Sequence, residues 1–464
     1  MTSVALPAAG ARKLPWGLLE LFVVAVYLSP ALLFIPGAQA LRTPIRAIPY
    51  LFSLALLVRH WAGGGSRTGW PGQIVLTTAL VVLIVALFHP NSSFVGGLAQ
   101  VVFQVSIAAP AYWAMSETVD RRRVSRFLAL LFLLNAASSL VGLLQVYIPE
   151  RVLPVEFSRQ AVTMNANYLE MLSYIGPEGK KIIRPPGLTD LPGGASGSCA
   201  VTALLGVLMA FQPGRALWQR AACAGIAAAA LVTLYLTQVR SMLLMTIVGY
   251  ATMCLLLARM HRIWLAGMLG AAGLGLVIGG FTLAFALGGQ AIFDRYYSLY
   301  EEGVFTSFRE NRGIFLEHTF SNLIWEHPLG AGAGRWGMMN AHFAGYDADP
   351  PRSIWVEVQP TGWVVDGGIP LFLAYAGAIA VAMWHLYRIA DPVRGGPLAY
   401  PAAIVFSSNL FVLGQSLAGP AFNSTGGISF WLPTALILAA FFRRQAVLRR
   451  QAAAKEMGLP VHVG

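Results

Sequence analysis

Three arginines in separate polar segments are the residues of this sequence best suited to bind an anion. Arg240 lies between two long apolar runs, Arg312 lies in the polar stretch 289–362, and Arg184 lies in a proline-rich turn. A guanidinium keeps its charge at neutral pH, and its paired donors match phosphate oxygens. If the three segments meet on one face, their side chains can hold a pyrophosphate. For Arg240, an arginine that simply ends a helix at the membrane surface is the alternative interpretation.

Two carboxylates, Glu357 and Asp366, lie on either side of the start of a later apolar run. A partly desolvated carboxylate at such a position can accept a proton as a general base. A carboxylate that caps the start of a helix is the alternative for both residues. We assign the base role to Glu357.

Helical spacing places Arg309 and Arg312 on adjacent turns of one face, although ion pairs with nearby glutamates would explain both arginines equally well. The candidate catalytic residues are Glu357, Arg312 and Arg240. The candidate substrate-binding residues carry cationic or hydrogen-bonding side chains in or beside the polar segments, and they are Arg184, Arg240, Arg309, Arg312, Arg335, His318 and Gln359.

No metal or cofactor is expected. Asp347 and Asp349 have the spacing that holds a divalent cation in many sugar-nucleotide enzymes, but two acids before a Pro-Pro pair are more typical of a solvated turn. The glycine run 330–334 has no preceding strand, so it is interpreted as a tight loop and not as a dinucleotide site. The histidines of this region lack the spacing of a zinc motif: His318, His327 and His342.

Composition defines the class of protein that must position these residues. The 464 residues are 56% hydrophobic and only 11% charged, with a mean hydropathy of +0.63. Apolar runs long enough to cross a bilayer as helices recur along the whole chain. We predict an all-α polytopic membrane protein of about twelve spans, near 16–35, 45–61, 73–89, 94–116, 126–148, 192–212, 217–238, 241–259, 262–288, 363–387, 398–418 and 427–443.

The net charge of +12 is distributed unevenly between the gaps that separate these spans. Every second gap is basic, and together those gaps hold 19 cations against four acids. This alternation follows the positive-inside rule for a chain with both termini in the cytoplasm. The basic excess therefore sets topology, and nucleic acid is not expected as a partner.

Two predicted external segments are too long to be simple connections, 149–191 and 289–362, and the second separates the ninth and tenth spans. Aromatic and aliphatic residues recur in both at helical spacings, with Tyr174 and Ile175 among them in the first segment, which predicts amphipathic helices at the membrane interface. Residues 1–450 form one transmembrane helical domain, and 451–464 form a cytoplasmic tail. The first apolar run exceeds the length of a cleavable signal core, so a retained signal anchor is expected.

This arrangement resembles the superfamily of O-antigen ligases and O-antigen polymerases, which are membrane glycosyltransferases of the GT-C type. The resemblance covers the twelve-helix layout and the large loop, between helices 9 and 10, before the tenth span. In sequence it rests on Arg240 within 237–241, on Arg312 followed by Trp-Glu-His-Pro-Leu-Gly-Ala-Gly at 325–332, and on Asp-Gly-Gly-Ile at 366–369. The His-Pro-Leu-Gly-x-Gly run is the most specific element.

The resemblance implies a metal-independent transfer of glycan from an undecaprenyl-pyrophosphate donor at the periplasmic face of a bacterial inner membrane. The acceptor would be another lipid-linked glycan or the lipid A–core of lipopolysaccharide, so polymerase and ligase stay open. It implies pyrophosphate binding by Arg240 and Arg312. The family's His-Asn pair, however, is replaced here by Glu357-Val358. Either Glu357 takes over the base role or the reaction differs, and the change favours a polymerase slightly.

Two other classes of function are compatible with the sequence. A transporter or flippase of lipid-linked glycan would bind the same anion without reaction, but such proteins place charges near the bilayer midplane and often show repeated halves. Here the charges collect at one predicted face and no halves repeat. A catalytically silent scaffold for envelope assembly is the third possibility.

Overall fold

The computed structural model describes residues 16–64, 69–117, 119–154, 172–177, 179–212, 214–343 and 354–457. Most of these residues are helical. The principal helices, in chain order, are α1 Trp16–Leu28, α2 Arg42–Ala62, α3 Gly72–Ala86, α4 Phe94–Ala108, α5 Arg121–Tyr147, α6 Ala195–Ala210, α7 Leu217–Leu236, α8 Arg240–Arg259, α9 Ile263–Gly288, α10 Gln290–Glu301, α11 Gly337–Phe343, α12 Gln359–Ile389, α13 Ala399–Ser416 and α14 Thr425–Glu456.

A further helical segment, residues 304–326, lies between α10 and α11. We call it the π-bulged helix because two of its five parts are π-turns, in the order Val304–Phe308, Arg309–Gly313 (π), Ile314–His318, Thr319–Leu323 (π) and Ile324–Glu326. Shorter helical turns connect the long helices, at Ser29–Phe34, Ala38–Leu41, Pro110–Trp113, Ala114–Ser116, Pro149–Val152, Pro392–Gly395, Gly396–Leu398 and Ala421–Asn423.

Nine helices in the described ranges are long and apolar enough to cross a membrane. They comprise Gly17–Phe34, Phe94–Ser116, Arg122–Tyr147, Leu217–Leu236, Arg240–Arg259, Ile263–Gly288, Gln359–Ile389, Pro392–Ser416 and Thr425–Ala454. The chain is therefore a multi-pass, all-α membrane protein, as predicted. The other three predicted spans are also helical, but α3 and α6 are shorter and α2 carries several arginines. The number twelve stays a prediction.

The centre of the bundle is α6, whose side chains are almost all buried. It packs on α5, α7 and α8. Gly206 permits the close approach to α7, because a Cβ at that position would lie 2.9 Å from the Cβ of Ala227 and from the carbonyl oxygen of Cys223. Small residues serve this purpose in membrane bundles, where packing and not hydrophobicity holds helices together.

Helix α12 is interrupted at Gly367 and Gly368, which have non-helical backbone angles. Gly368 has a φ of 63°, a conformation that favours glycine. The interruption is filled by another loop, since a Cβ on Gly368 would lie 2.2 Å from the carbonyl oxygen of Pro328. The uninterrupted apolar run predicted for this span hides the break.

Backbone hydrogen bonds from the same loop satisfy the two halves of α12. The N–H of Ala331 donates to the carbonyl oxygen of Val365 at 2.7 Å, and the N–H of Ile369 donates to that of Pro328 at 2.9 Å. Backbone groups released by a helix break must find partners, especially in lipid. The glycine-rich run after His327 is thus a structural element of α12 and not a nucleotide site.

The first long segment differs from the prediction. Tyr174 and Ile175, expected on an amphipathic helix, lie in strand β1 Ser173–Ile175, which pairs antiparallel with β2 Lys181–Ile183. A tight turn between the strands, with Gly179 at a φ of 69°, favours the hairpin over a helix. Phe157, Tyr168 and Met171, on which that expectation also rested, lie outside the described residues, whereas Leu172 is described and precedes β1.

Candidate functional site

Arg240 is the first residue of α8 and follows a very short connection from α7. Gln238 in this connection has a φ of 56°, which lets the chain reverse direction within three residues. The Nη1 group of Arg240 donates a hydrogen bond to Ser298 Oγ at 2.9 Å, so the side chain reaches α10. Within the described ranges, the half-buried guanidinium has no carboxylate at ion-pair distance.

Arg295, on α10, lies close to two other cations. Burial, followed by the charges of Arg240 and Arg184, lowers the pKa of Arg295 to about 10, and Glu302 opposes this shift only weakly. A pKa of about 10 still leaves the guanidinium charged at neutral pH. Its Nε is buried and finds no hydrogen-bond partner in the part of the chain that the structure describes. We call Arg184, Arg240 and Arg295 the arginine cluster.

Arg184 reaches this cluster from the turn that follows β2. Its N–H donates to the carbonyl oxygen of Leu172 at 3.0 Å, and its carbonyl oxygen accepts from the N–H of Gly193 at 3.0 Å. Farther along the turn, Gln145 of α5 exchanges two hydrogen bonds of 2.8 Å with the backbone of Gly187. The backbone that carries Arg184 is therefore held at several points.

Asp190 holds the same turn against α2. Its carboxylate is 1% exposed and forms ion pairs with both Arg42 and Arg46, which lie one helical turn apart. A buried carboxylate requires such partners, because removing an unpaired charge from water is costly. The pairs connect α2 to the segment that supplies Arg184.

Two tyrosines lie within reach of the arginine cluster. Burial raises the pKa of Tyr174, and the charge of Arg184 opposes the shift. Burial also raises the pKa of Tyr296, against the charges of Arg295 and Arg184. Tyr174 Oη is buried and has no hydrogen-bond partner within the described segments. The cluster thus combines three cations with phenol groups that stay protonated.

Arg312 and Glu357 form an ion pair between the π-bulged helix and the segment that leads into α12. Arg312 Nη1 donates to Glu357 Oε2, and the side chains are 37% and 23% exposed. Glu357 Oε1 accepts no hydrogen bond from any residue that the structure describes. The pair orients the carboxylate and leaves one oxygen available as a proton acceptor.

Arg312 occupies the first π-turn of its helix, Arg309–Gly313. A π-turn adds one residue to the helical turn, and such turns are frequent at functional sites. Across the second π-turn, Thr319 contacts Thr361 of α12 at 2.6 Å between their Oγ1 atoms. The second π-turn therefore packs against α12.

Arg240 and Arg312 contact different elements. Arg240 bonds to α10, whereas Arg312 pairs with Glu357 ahead of α12. The convergence of both guanidinium groups on one pyrophosphate stays a prediction. The residue that the structure brings to Arg240 and Arg184 is Arg295 instead.

Arg309 and His318 lie on the exposed side of the π-bulged helix. Arg309 Nε donates to Glu317 Oε1 at 3.0 Å, with both side chains more than half exposed. His318 is exposed and lies 3.4 Å from the Asn322 amide. Their contacts are those of a surface ion pair and a surface histidine.

Gln359 and Arg335 have mainly structural contacts. Gln359 is fully buried, and its Oε1 accepts from the N–H of Phe422 at 2.9 Å. Arg335 Nη1 donates to the carbonyl oxygen of Ala331 at 3.3 Å, inside the loop that fills the break in α12. The charge of Arg335 and burial lower the pKa of nearby His89, with burial the larger cause.

Asp366 is buried and binds the glycine-rich loop. Its Oδ1 accepts from the N–H of Gly334 at 3.1 Å, and its Oδ2 accepts from Gln100 Nε2 at 2.7 Å. Both carboxylate oxygens therefore have partners within the bundle. These contacts assign Asp366 to the support of the loop and not to a helix cap.

The sequence interpretation did not include Arg295 among the site residues, although a local signal existed. Arg295 lies three residues after buried Ile292, which places it on the inward face of α10. A cation on the inward face of an amphipathic helix requires a partner or a ligand. Asp294, the acid that precedes Arg295 in the chain, is exposed.

Comparison with known proteins adds no family assignment: neither the known protein families nor the curated protein sequences contain a match to this chain. Over the described residues, no group of three or more His, Cys, Asp and Glu side chains is arranged to hold a metal ion. Asp347 and Asp349, the acids with metal-like spacing, lie outside those residues. The candidate site is therefore described from the contacts and charges of its own residues.

Proposed function

We propose that this protein is a membrane glycosyltransferase that transfers or polymerises glycan from an undecaprenyl-pyrophosphate donor at the periplasmic face of a bacterial inner membrane. The observation that carries the proposal is the arginine cluster. Arg184, Arg240 and Arg295 belong to three separate segments, and their like charges repel one another at short range. A bound diphosphate offsets that repulsion and matches the guanidinium donors.

The cluster supplies the larger part of the catalysis in this proposal. An acceptor hydroxyl attacks the anomeric carbon of the donor sugar, and the bond between that carbon and the phosphate oxygen breaks. Negative charge develops on the departing pyrophosphate, where fixed cations in a partly dry site stabilise it. No metal is required for this step, because the arginines provide the positive charge.

Glu357 is the proposed general base. Its Oε1 oxygen is available to take the proton of the attacking hydroxyl, while Arg312 orients the carboxylate through Oε2. General base catalysis of this kind contributes roughly 10²- to 10⁴-fold. The ion pair also supports the idea that Glu357 fills the position of the histidine in the family that the sequence resembles.

The acceptor distinguishes two versions of the reaction. A polymerase uses a second lipid-linked glycan, whereas a ligase uses the lipid A–core of lipopolysaccharide. Replacement of the family's His-Asn pair by Glu357-Val358 favours the polymerase. Both versions use the same donor and the same diphosphate site.

The test is direct turnover by the purified protein in lipid nanodiscs. A lipid-pyrophosphate oligosaccharide is supplied alone or with lipid A–core, and the products are weighed by mass spectrometry. Longer lipid-linked chains identify a polymerase, and glycosylated lipid A–core identifies a ligase. Intact donor in both reactions, with a correctly folded protein, overturns the proposal.

A flippase of lipid-linked glycan is the second candidate, because interrupted helices such as α12 are typical of transporters. In this chain the interruption at Gly367 and Gly368 is filled by the loop that contains Pro328 and Ala331. Proteoliposomes separate the two functions. Movement of unmodified donor across the bilayer without product would favour the flippase.

A further inference from the structure

The segment that leads into α12, residues 354–357, belongs to no helix or strand. Its backbone is fixed at one end, where the N–H of Ile354 donates to the carbonyl oxygen of Arg335 at 2.9 Å. Ile354 and Val356 pack against a buried apolar cluster, and Val358 is fully buried. Burial thus alternates along the segment, and Trp355 and Glu357 alternate with the side chains that pack on the cluster.

Trp355 is 62% exposed, although tryptophan has a large apolar surface. It stands two residues before Glu357, and the residue between them, Val356, packs on the apolar cluster. The ring is thus exposed, and it lies close in the chain to Glu357, whose carboxylate pairs with Arg312. The preceding residue, Ile354, does pack against a buried apolar cluster, so burial of a side chain is possible in this segment.

A flat apolar ring beside a carboxylate and a guanidinium matches one class of ligand closely. A pyranose ring presents C–H groups on its faces and hydroxyl groups at its edge. The C–H groups pack on the electron-rich face of an indole. The hydroxyl groups can donate to Glu357 Oε1 and accept from Arg312.

We propose that Trp355 is a sugar-stacking residue that holds the acceptor saccharide with its attacking hydroxyl near Glu357. This inference rests on the proposed glycosyltransferase function and adds the place where the acceptor binds. It assigns the diphosphate to the arginine cluster and the sugar to the surface formed by Trp355, Arg312 and Glu357. Trp355 acts through binding, so it should affect KM for the acceptor more than kcat.

The test compares three substitutions of Trp355 in nanodiscs, with acceptor concentration varied at saturating donor. Trp355→Ala removes the ring and is expected to raise KM for the acceptor about 10-fold, equivalent to about 1.4 kcal/mol. Trp355→Phe keeps a flat aromatic face and should restore most of the affinity. Trp355→Leu is apolar without a flat face and should behave like Trp355→Ala.

A membrane-anchoring role for Trp355 gives a different pattern, since lipid contact requires only apolar surface. In that case Trp355→Leu would match the wild type, which would overturn the proposal. Trp218→Ala serves as the matched control, because Trp218 is 71% exposed on α7 and belongs to neither candidate site. An unchanged KM in Trp355→Ala, with active wild-type protein, would also overturn it. If the wild type itself shows no turnover, the glycosyltransferase proposal fails instead.

Discussion

Arg240 and Ser298 are joined by a hydrogen bond of 2.9 Å that ties the start of α8 to α10. Ser298 lies three residues after Arg295, and its hydroxyl also donates to the carbonyl oxygen of Arg295 at 3.2 Å. One serine thus links two guanidinium-bearing residues of the arginine cluster. The Arg240 guanidinium is therefore held beside α10 before any ligand binds, and fixed charges of this kind are what preorganised stabilisation requires.

Loss of one cation from the cluster should reduce turnover strongly. Arg240→Ala and Arg295→Ala are each expected to lower kcat/KM about 100-fold, because a fixed donor to the leaving group is removed. The lysine variants should retain part of the activity, since they keep the charge but lose the paired donors. Product formation in nanodiscs is the measurement. Arg151→Ala, an exposed arginine near the end of α5, is the control and should stay active.

Glu357→Gln should lower kcat by about 10² to 10⁴ and leave KM for the donor nearly unchanged. Glutamine keeps the size of the side chain but cannot accept the proton of the attacking hydroxyl. Single-turnover rates across a range of pH provide the measurement. Glu317→Gln is the matched control, because Glu317 also pairs with an arginine, Arg309, but does so on the exposed side of the π-bulged helix. Equal rates for the wild type and Glu357→Gln would remove Glu357 from the mechanism.

Asp190→Asn should destabilise the protein by about 3 kcal/mol, because Arg42 and Arg46 lose the buried carboxylate that pairs with both. Thermal unfolding in nanodiscs measures the change. Asp294→Asn is the control, since Asp294 is exposed and its carboxylate accepts a hydrogen bond from Gln290 within α10. A melting temperature equal to that of the wild type would mean that the two ion pairs contribute little.

Gly368→Ala should destabilise the fold by about 3 kcal/mol or more. The residue combines a φ of 63° with a carbonyl oxygen 2.2 Å from the position of a Cβ, so both strain and overlap arise. Gly377→Ala, later in α12, is the control. Its nearest neighbour would be 3.4 Å away, and alanine favours a helix. Similar melting temperatures for the two variants would contradict the account of the interruption.

Glu117 should make stability depend on pH. Burial raises its pKa to about 7, against the charges of Arg123, Arg443 and Arg59. The folded protein therefore keeps a proton that the unfolded chain releases above about pH 4.5. The stability linked to this group is fully present below pH 4.5 and declines until about pH 7, by about 3 kcal/mol at most.

Melting temperatures of the wild type and Glu117→Gln at pH 5 and pH 8 test this sign. The wild type should lose more stability on going to pH 8 than the variant does, because glutamine does not ionise. Glu150→Gln, at an exposed position, should follow the wild type. Parallel curves for the wild type and Glu117→Gln would show that Glu117 is not the titrating group.

The helical bundle could be predicted because its signals are local. An apolar run such as 262–288 contains its own length, composition and boundaries, and α9 occupies nearly the same residues. The break at Gly368 could not be predicted in this way, since its stabilising partners lie in the loop at Pro328. Strand β1 was also missed, because aromatic spacing suggested a helix while a turn at Gly179 formed a hairpin.

The residues of the candidate site also differ in whether local sequence or tertiary packing determines their role. Arg240 and Arg184 could be selected from sequence, because each is a cation beside an apolar run. The partner of Arg312 could not be fixed, since Glu357 is 45 residues away and its carboxylate could have faced several arginines. The grouping of Arg295 with Arg240 depends on how α10 rotates against α8, which is a property of the packed bundle.

The loop at Pro328 and residues 365–369 of α12 complete each other's backbone hydrogen bonds and leave no space for added atoms. A change in the length or composition of one segment therefore requires a matching change in the other. Among descendants of this sequence, substitutions in the two segments should arise together and insertions should be rare in both. A chain assembled from two relatives, with a junction between residues 331 and 366, should fold poorly unless both parents share this fit.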